Sequence, residues 1–426
     1  MPSNSTTSSR GRGVFLDLRP LRANPVFRRF WIGALFSAFG SQIASFALLY
    51  YVWSRTHDSA LVGLIGLAQF VPLLVFALVG GHLADGMDRR RLVLVARVGQ
   101  LVVSAGLAVA VIHGTHTLVP VYLLIALQSA LSSVAAPASK AFLPRILAPD
   151  QLGPGLALTN LEAQAALLAS PLVAGLAIAA WGVDGCFLFD TLTFVAAIYG
   201  VFGLPSMPAP AAAAAATRGA HSLLAGVRLV IERPVLAAAF LADLSATVLA
   251  MPVALFPVIN SEKFGGSPVT LGLFLPALAV GGVVAGALSG RVSHARKPGW
   301  VMLVAGLGWA LGLAAFGAIN VLWIAIPCLA IAGASDAVSV IARGTIVQRG
   351  TPDEFRGRVN ALDYVVGAGG PQIGNIRAGL VAAATSGSTS MVVGGLAAGV
   401  GTVLIGILTP SLRRFRQEPE VVGSGM

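Results

Sequence analysis

Six ionisable side chains stand inside long apolar runs of this 426-residue sequence: Glu162, Asp190, Asp243 and Asp336, with Arg97 and Arg377. A charge withdrawn from water is costly, so such residues mark ion or substrate paths by default. A carboxyl group in that setting can exchange a proton with its surroundings, and Glu162 and Asp243 are the expected proton-coupling sites. Asp190 and Asp336 are the next candidates, although for them a standing pair with an arginine, or a cap on broken backbone, is the simpler role. Asp363, near the end of its run, is expected at the membrane interface. Hydrolytic and metal chemistry lack their residues. No phosphate-binding glycine loop, no His-Glu-x-x-His and no Cys-His cluster occurs, so neither a catalytic activity, a cofactor nor a metal is expected. Cys186 and Cys328 stand singly in separate runs and support no disulfide framework.

The elements that must carry these side chains are membrane helices. The sequence is 56% hydrophobic and 11% charged, against about 25% charged residues in soluble domains, and its mean hydropathy is +0.84. A span needs about 20 apolar residues, and it must be helical because lipid offers the backbone no hydrogen bonds. Twelve such runs are present, over 30–53, 60–84, 92–112, 118–137, 156–181, 185–204, 235–258, 269–290, 299–318, 320–342, 359–384 and 390–410. Most connections are short, so neighbouring spans run antiparallel. The fold class is an all-α membrane protein.

A net charge of +11 could signal nucleic acid, but the placement of the basic residues decides the matter. Of the 28 lysines and arginines, all but Arg55, Lys263, Arg97 and Arg377 fall on one side of the expected topology. The positive-inside rule then puts both termini in the cytoplasm. Basicity here sets orientation, and no nucleic-acid partner is expected. Residues 1–26 are polar, arginine-rich and followed by a long span, which argues against a cleaved secretory signal.

The chain breaks once, at Pro205-Ser206-Met207-Pro208-Ala209-Pro210 and the alanine tract that follows. This gives a cytoplasmic segment 1–29, a six-helix half over 30–204, a linker over 205–234, a second half over 235–410 and a tail over 411–426. Within the linker, Leu223, Val227, Val230 and Ile231 recur at helical spacing with Arg228 and Glu232 outside the stripe. That pattern fits a short amphipathic helix on the cytoplasmic surface, tethering the halves. The halves repeat each other: one offset aligns Gly81 with Gly290 and Gly99 with Gly308. Ala148-Pro149-Asp150 matches Thr351-Pro352-Asp353, and Ser170-Pro171-Leu172-Val173-Ala174-Gly175 matches Gly370-Pro371-Gln372-Ile373-Gly374. Six helices plus six, related by a pseudo-two-fold along the membrane normal, place a substrate site at the midplane between the halves.

The densest charged feature is Gly81-His82-Leu83-Ala84-Asp85-Gly86-Met87-Asp88-Arg89-Arg90-Arg91, a tight hairpin between two spans. Gly81 permits close helix approach, Asp85 can pair at the cytoplasmic face, and Arg89 and Arg90 with Arg91 stay among headgroups. Such a cluster can latch one state of a rocking cycle. In its partner, Gly290 to Lys297, the basic charge remains and the aspartate is lost. Aromatic residues crowd the first span, and Phe39 and Phe46 are placed deeply enough to line a substrate cavity. Proline with small residues, as at Pro171 and Gly175 or Pro371 and Gly374, bends a helix and admits a close neighbour.

The hairpin resembles the Gly-x-Leu-Ala-Asp loop of the major facilitator superfamily, departing from it at Gly86 and Asp88. The segment at Pro171 and Gly175 is similar to the Gly-Pro element of its antiporters. Leu18 to Arg28, the loop at Gly81, the turn Ser293 to Gly299 and the tail Leu412 to Gln417 resemble the siderophore-exporting branch, which lies beside macrolide and multidrug efflux proteins. The resemblance implies twelve helices in two pseudo-symmetric six-helix halves. It implies proton-coupled export of an enterobactin-type catecholate siderophore, or of an amphipathic drug, across a bacterial inner membrane by a monomer embedded in the lipid bilayer. It also implies that Asp85 belongs to a charge relay, and that Arg97 and Arg377 face an acidic or phenolic ligand or pair with a neighbouring acid. The Arg-x-x-Gln-Gly element of proton antiporters is absent from the fourth span, where Ile125 occupies the arginine position ahead of Gln128; either Arg97 on the adjacent span substitutes, or the coupling differs.

Overall fold

The computed structural model describes residues 17–114, 117–208, 219–287 and 295–415, without the side chains of 77–85 and 219–225. Among these residues there is no strand, and ten helices are long and apolar enough to cross a membrane. One of the ten, Pro149–Phe202, has 54 residues. At 1.5 Å per residue that is about 81 Å, far beyond a hydrocarbon core of roughly 30 Å. It is two spans, five and six, divided at Gly182, whose φ of 73° and ψ of 177° leave the helical region. Glycine takes that conformation without the clash a Cβ would bring.

A further helix, Arg356–Ala384, carries Arg356, Arg358, Asp363 and Arg377 and so falls short on hydropathy, yet it packs against spans two and seven. With span five separated from span six, this helix completes twelve. The others are Pro25–Thr56, Ser59–Gly86, Arg89–Ile112 and Val119–Lys140 in the first half. The second half holds Pro234–Lys263, Pro268–Ala287, Pro298–Ala318, Leu322–Gly350 and Gly387–Leu408 beside span eleven. The protein is an all-α membrane bundle of two six-helix halves.

Local chemistry sets the ends and breaks. Asn24 caps span one by accepting from the Phe27 N–H at 2.9 Å, with Pro25 at the first helical position. Span seven breaks at Met251-Pro252, because Pro252 brings no N–H to the helical ladder. Beyond the break, Phe256, Phe274 and Phe316 pack edge to face with centroids 5.2 to 5.8 Å apart and close one end of the second half.

The linker helix forms over Gly219–Glu232. Val230 is buried with Leu236, Phe240, Val347 and Val359, so the helix docks on the second half. Ile231, expected on the same apolar stripe, is 71% exposed. The step of about 100° from Val230 to Ile231 carries it past the contact. Leu223 lies outside the described side chains.

Candidate transport site

Span one brings Ser41 and Ser45, span two Gln69, span three Gln100, span four Gln128 and Ser129, and span six Asp190 to one cavity of about 270 Å³. Gln372 of span eleven reaches it from the other half. Asp190 is held by serines. Its carboxylate accepts from the Ser104 hydroxyl at 2.6 Å and from the Ser41 hydroxyl at 3.4 Å. A standing arginine pair, the simpler role expected for Asp190, is therefore not what holds it: Arg97 instead donates to Gln100 Oε1 at 3.2 Å and Ser37 Oγ at 3.5 Å.

Glu162 is buried nearby on span five, and its Oε2 has no hydrogen-bond partner among the described residues. Both acids lie within electrostatic reach of Arg97, yet no ion pair within 4.0 Å joins them to it among the described residues. An unsatisfied buried carboxylate oxygen is costly, and such groups gather where protons or substrates are handled.

The second half is arranged differently. Arg343 donates through Nη1 to Asp243 Oδ2 at 2.9 Å, and the same nitrogen lies 3.0 Å from Asp363 Oδ1. Asp243, an expected proton-coupling site, is thus a paired acid. The helix of span ten continues to Gly350, past the expected end at residue 342, so Arg343 is a buried residue of the bundle. Asp363, expected at the interface, is partly exposed and joins the charge triad.

Asp336 opens into a second, mostly apolar cavity of about 640 Å³, with Leu275, Leu278 and Trp309 from its own half and Gln164 from span five. It makes no ion pair among the described residues. Arg377 donates to the carbonyls of Val248 and Leu249, just before the break in span seven. It satisfies broken backbone and does not line the cavities described here. Phe46 is 4% exposed inside an apolar core that runs through both halves, and neither it nor the half-buried Phe39 lines these cavities.

Contacts between the halves gather on the face away from the 81–91 hairpin. A Cβ at Gly63 would stand 2.7 Å from the Asn375 carbonyl, and the Ser59 hydroxyl donates to the Gly379 carbonyl at 3.0 Å. At the matching crossing of spans five and eight, a Cβ at Gly175 would stand 2.5 Å from the Pro268 carbonyl. Small residues allow such backbone approach in lipid. Pro171 also meets span eight through its carbonyl, whereas Gly374 packs on Thr247 and Met251 of its own half, and Pro371 lines a gap of about 230 Å³ between the halves. On the hairpin face the described link is Lys140 over the Tyr364 ring at 5.5 Å.

Of the hairpin itself, the surroundings of Gly81 and the side chain of Asp85 lie outside what is described, as does the counterpart over 288–294. Asp88 is well defined. It caps span three by accepting from the Arg91 N–H at 2.9 Å, and its other oxygen accepts from the Ser206 hydroxyl at 2.6 Å and the Met207 N–H at 2.7 Å. Burial alone would raise its pKa, but these hydrogen bonds outweigh burial and hold it below the ordinary carboxylate value. The Arg89 N–H donates to the Met207 carbonyl, and Arg90 donates to the Phe202 carbonyl at 2.6 Å while stacking on its ring. The hairpin thereby grips the chain leaving span six.

Two six-helix halves with polar and apolar cavities between them, closed together on one face by glycine crossings, define a major facilitator transporter, a multi-pass inner-membrane protein and not an enzyme. The chain belongs to the family described as transmembrane secretion effector, whose model matches residues 17–420. It is 29% identical over 416 residues to the enterobactin exporter EntS of Shigella boydii serotype 4 (strain Sb227), covering 96% of this chain and 97% of the relative. Among solved structures it is similar to a mutant of the nucleoside transporter NupG, with a TM-score of 0.74 at 12% identity, covering 91% of this chain and 99% of that one. It is also similar to a bacterial homologue of the lysosomal transporter Spinster in an inward-facing, unoccupied conformation, with a TM-score of 0.71 at 11% identity, covering 94% and 99%. These two likenesses carry the fold alone.

Proposed function

We propose that the chain exports an enterobactin-type catecholate siderophore from the cytoplasm, by proton-coupled alternating access of halves spanning 30–204 and 235–410. The observation that carries the substrate is the cavity of Ser41, Ser45, Gln69, Gln100, Gln128 and Asp190, with Phe70 and Phe187 on its wall. Amide and hydroxyl groups can both donate to and accept from catechol hydroxyls, and the partly exposed Phe70 ring offers a stacking face. The name of the enterobactin exporter relative supports the same substrate.

With both termini cytoplasmic, the closed glycine crossings lie at the outer face and the cavities face inward. Glu162 and Asp190 carry the proton, Arg97 stands in for the arginine missing from span four, and Asp243 stays paired with Arg343 in its triad. Asp85 with Arg89 and Arg90 latches the cycle at the cytoplasmic face. The unit is a monomer.

A second reading, efflux of amphipathic drugs, is favoured by the larger apolar cavity with its single acid, Asp336. Extracellular siderophore and drug susceptibility, measured side by side in a deletion strain under iron limitation, separate the two. Loss of exported siderophore with unchanged drug susceptibility is expected; a drug phenotype with normal siderophore output overturns the siderophore assignment.

A further inference from the structure

The two halves differ in how they hold the chain that leaves their last helix. In the first, the Asp88 carboxylate caps span three and grips Ser206 and Met207. The offset that aligns Gly81 with Gly290 sets Lys297 opposite Asp88. The geometry agrees. Lys297 is the residue at the N-cap of span nine, and the fully buried Leu412 takes the place of the buried Met207, its carbonyl lying against Gly299.

A base therefore stands where the first half has its acid. Lys297 provides no side-chain cap, and Arg413 and Arg414 follow Leu412. Lys297, Trp300, Pro410, Arg413 and Arg414 enclose a notch of about 270 Å³ that no carboxylate lines. The Nε of Arg413 is buried without a hydrogen-bond partner. None of the three cations makes an ion pair among the described residues, where ion pairs occur at Arg19, Arg228, Arg343 and Arg356.

We infer that this notch binds the phosphodiester of an anionic phospholipid, which supplies the negative charge that Asp88 supplies in the first half. A phosphate oxygen accepts from guanidinium and ammonium groups as a carboxylate does. Free phosphate shares that chemistry. What favours the lipid is Trp300, 46% exposed beside the cations at the ends of spans nine and twelve. Tryptophan with lysine and arginine at a span end is the composition of the headgroup layer.

Native mass spectrometry of the full chain, offered phosphatidylglycerol, phosphatidylcholine and inorganic phosphate separately, tests the inference. The full chain is expected to retain phosphatidylglycerol over phosphatidylcholine, and Lys297→Gln or Arg414→Gln to weaken that preference roughly fivefold each. Lys297→Asp, which restores the charge arrangement of the first half, is expected to abolish it while the melting temperature in neutral detergent holds. An unchanged preference in Lys297→Asp overturns the site. Displacement of the lipid by inorganic phosphate at matched concentration overturns the lipid as its ligand.

Discussion

In the first half, Glu162, Asp190 and Arg97 form no ion pair among the described residues: serines donate to Asp190, Arg97 donates to Gln100 and Ser37, and Glu162 Oε2 is left without a partner. In the second, Asp243, Arg343 and Asp363 are joined at 2.9 and 3.0 Å. The same ancestral plan thus carries two electrostatic designs. A joined triad resists change, because separating its members strands a charge in low dielectric. A loose cluster without ion pairs can change its protonation with little rearrangement. The first half is built to respond, and the second to hold.

The sharpest way to break that contrast is Arg343→Met. It leaves Asp243 and Asp363 facing each other without a cation and is expected to cost about 3–5 kcal/mol, read as a large fall in melting temperature in detergent. Adding Asp243→Asn is expected to recover part of the loss. The same substitution at the loose cluster, Arg97→Met, is expected to cost less and to act mainly on transport. A fall as large as that of Arg343→Met erases the distinction between the halves.

The glycine crossings give an intermediate effect. Gly175→Val inserts a side chain where even a Cβ would meet the Pro268 carbonyl, and overpacking of this kind costs about 1–3 kcal/mol. Here the penalty falls on one conformational state, so labelling of a cysteine introduced at the closed face is expected to accelerate with the fold intact.

The smallest effect concerns Asp88. Replacement by alanine removes a helix cap worth about 1 kcal/mol. Because the folded pKa of Asp88 lies below the ordinary 3.8, its contribution is fully present above that value. It is lost as pH falls through the lowered folded value. A pH series of melting temperatures for the parent and Asp88→Ala is expected to diverge above pH 4 and converge in stronger acid.

The spans were legible in the sequence because runs without charge have a single reading in a membrane, and the repeat was legible because Pro171 and Pro371 recur in matching surroundings. Arg343 was hidden by the same logic. A charge following an apolar run reads as a loop, and only its two partners on other helices show why it is buried. Arg377 was visible as an intramembrane cation, but the carbonyls it serves are created by the break at Met251-Pro252, a tertiary feature. Phe46 was placed by depth, which sequence spacing gives, and not by direction, which depends on the neighbouring spans. Asp88 stood out as a departure from the family loop; its grip on Ser206 and Met207 spans more than a hundred residues and left no local trace.

The central claim is that the loose acids of the first half carry the coupling. Purified full-length protein with Glu162→Gln and Asp190→Asn, reconstituted in proteoliposomes, can be assayed for substrate-driven proton movement against the parent and against Asp336→Asn. Loss of proton movement in the double variant, with substrate binding retained and Asp336→Asn still coupled, is the predicted result. Undiminished proton movement in the double variant would contradict the account.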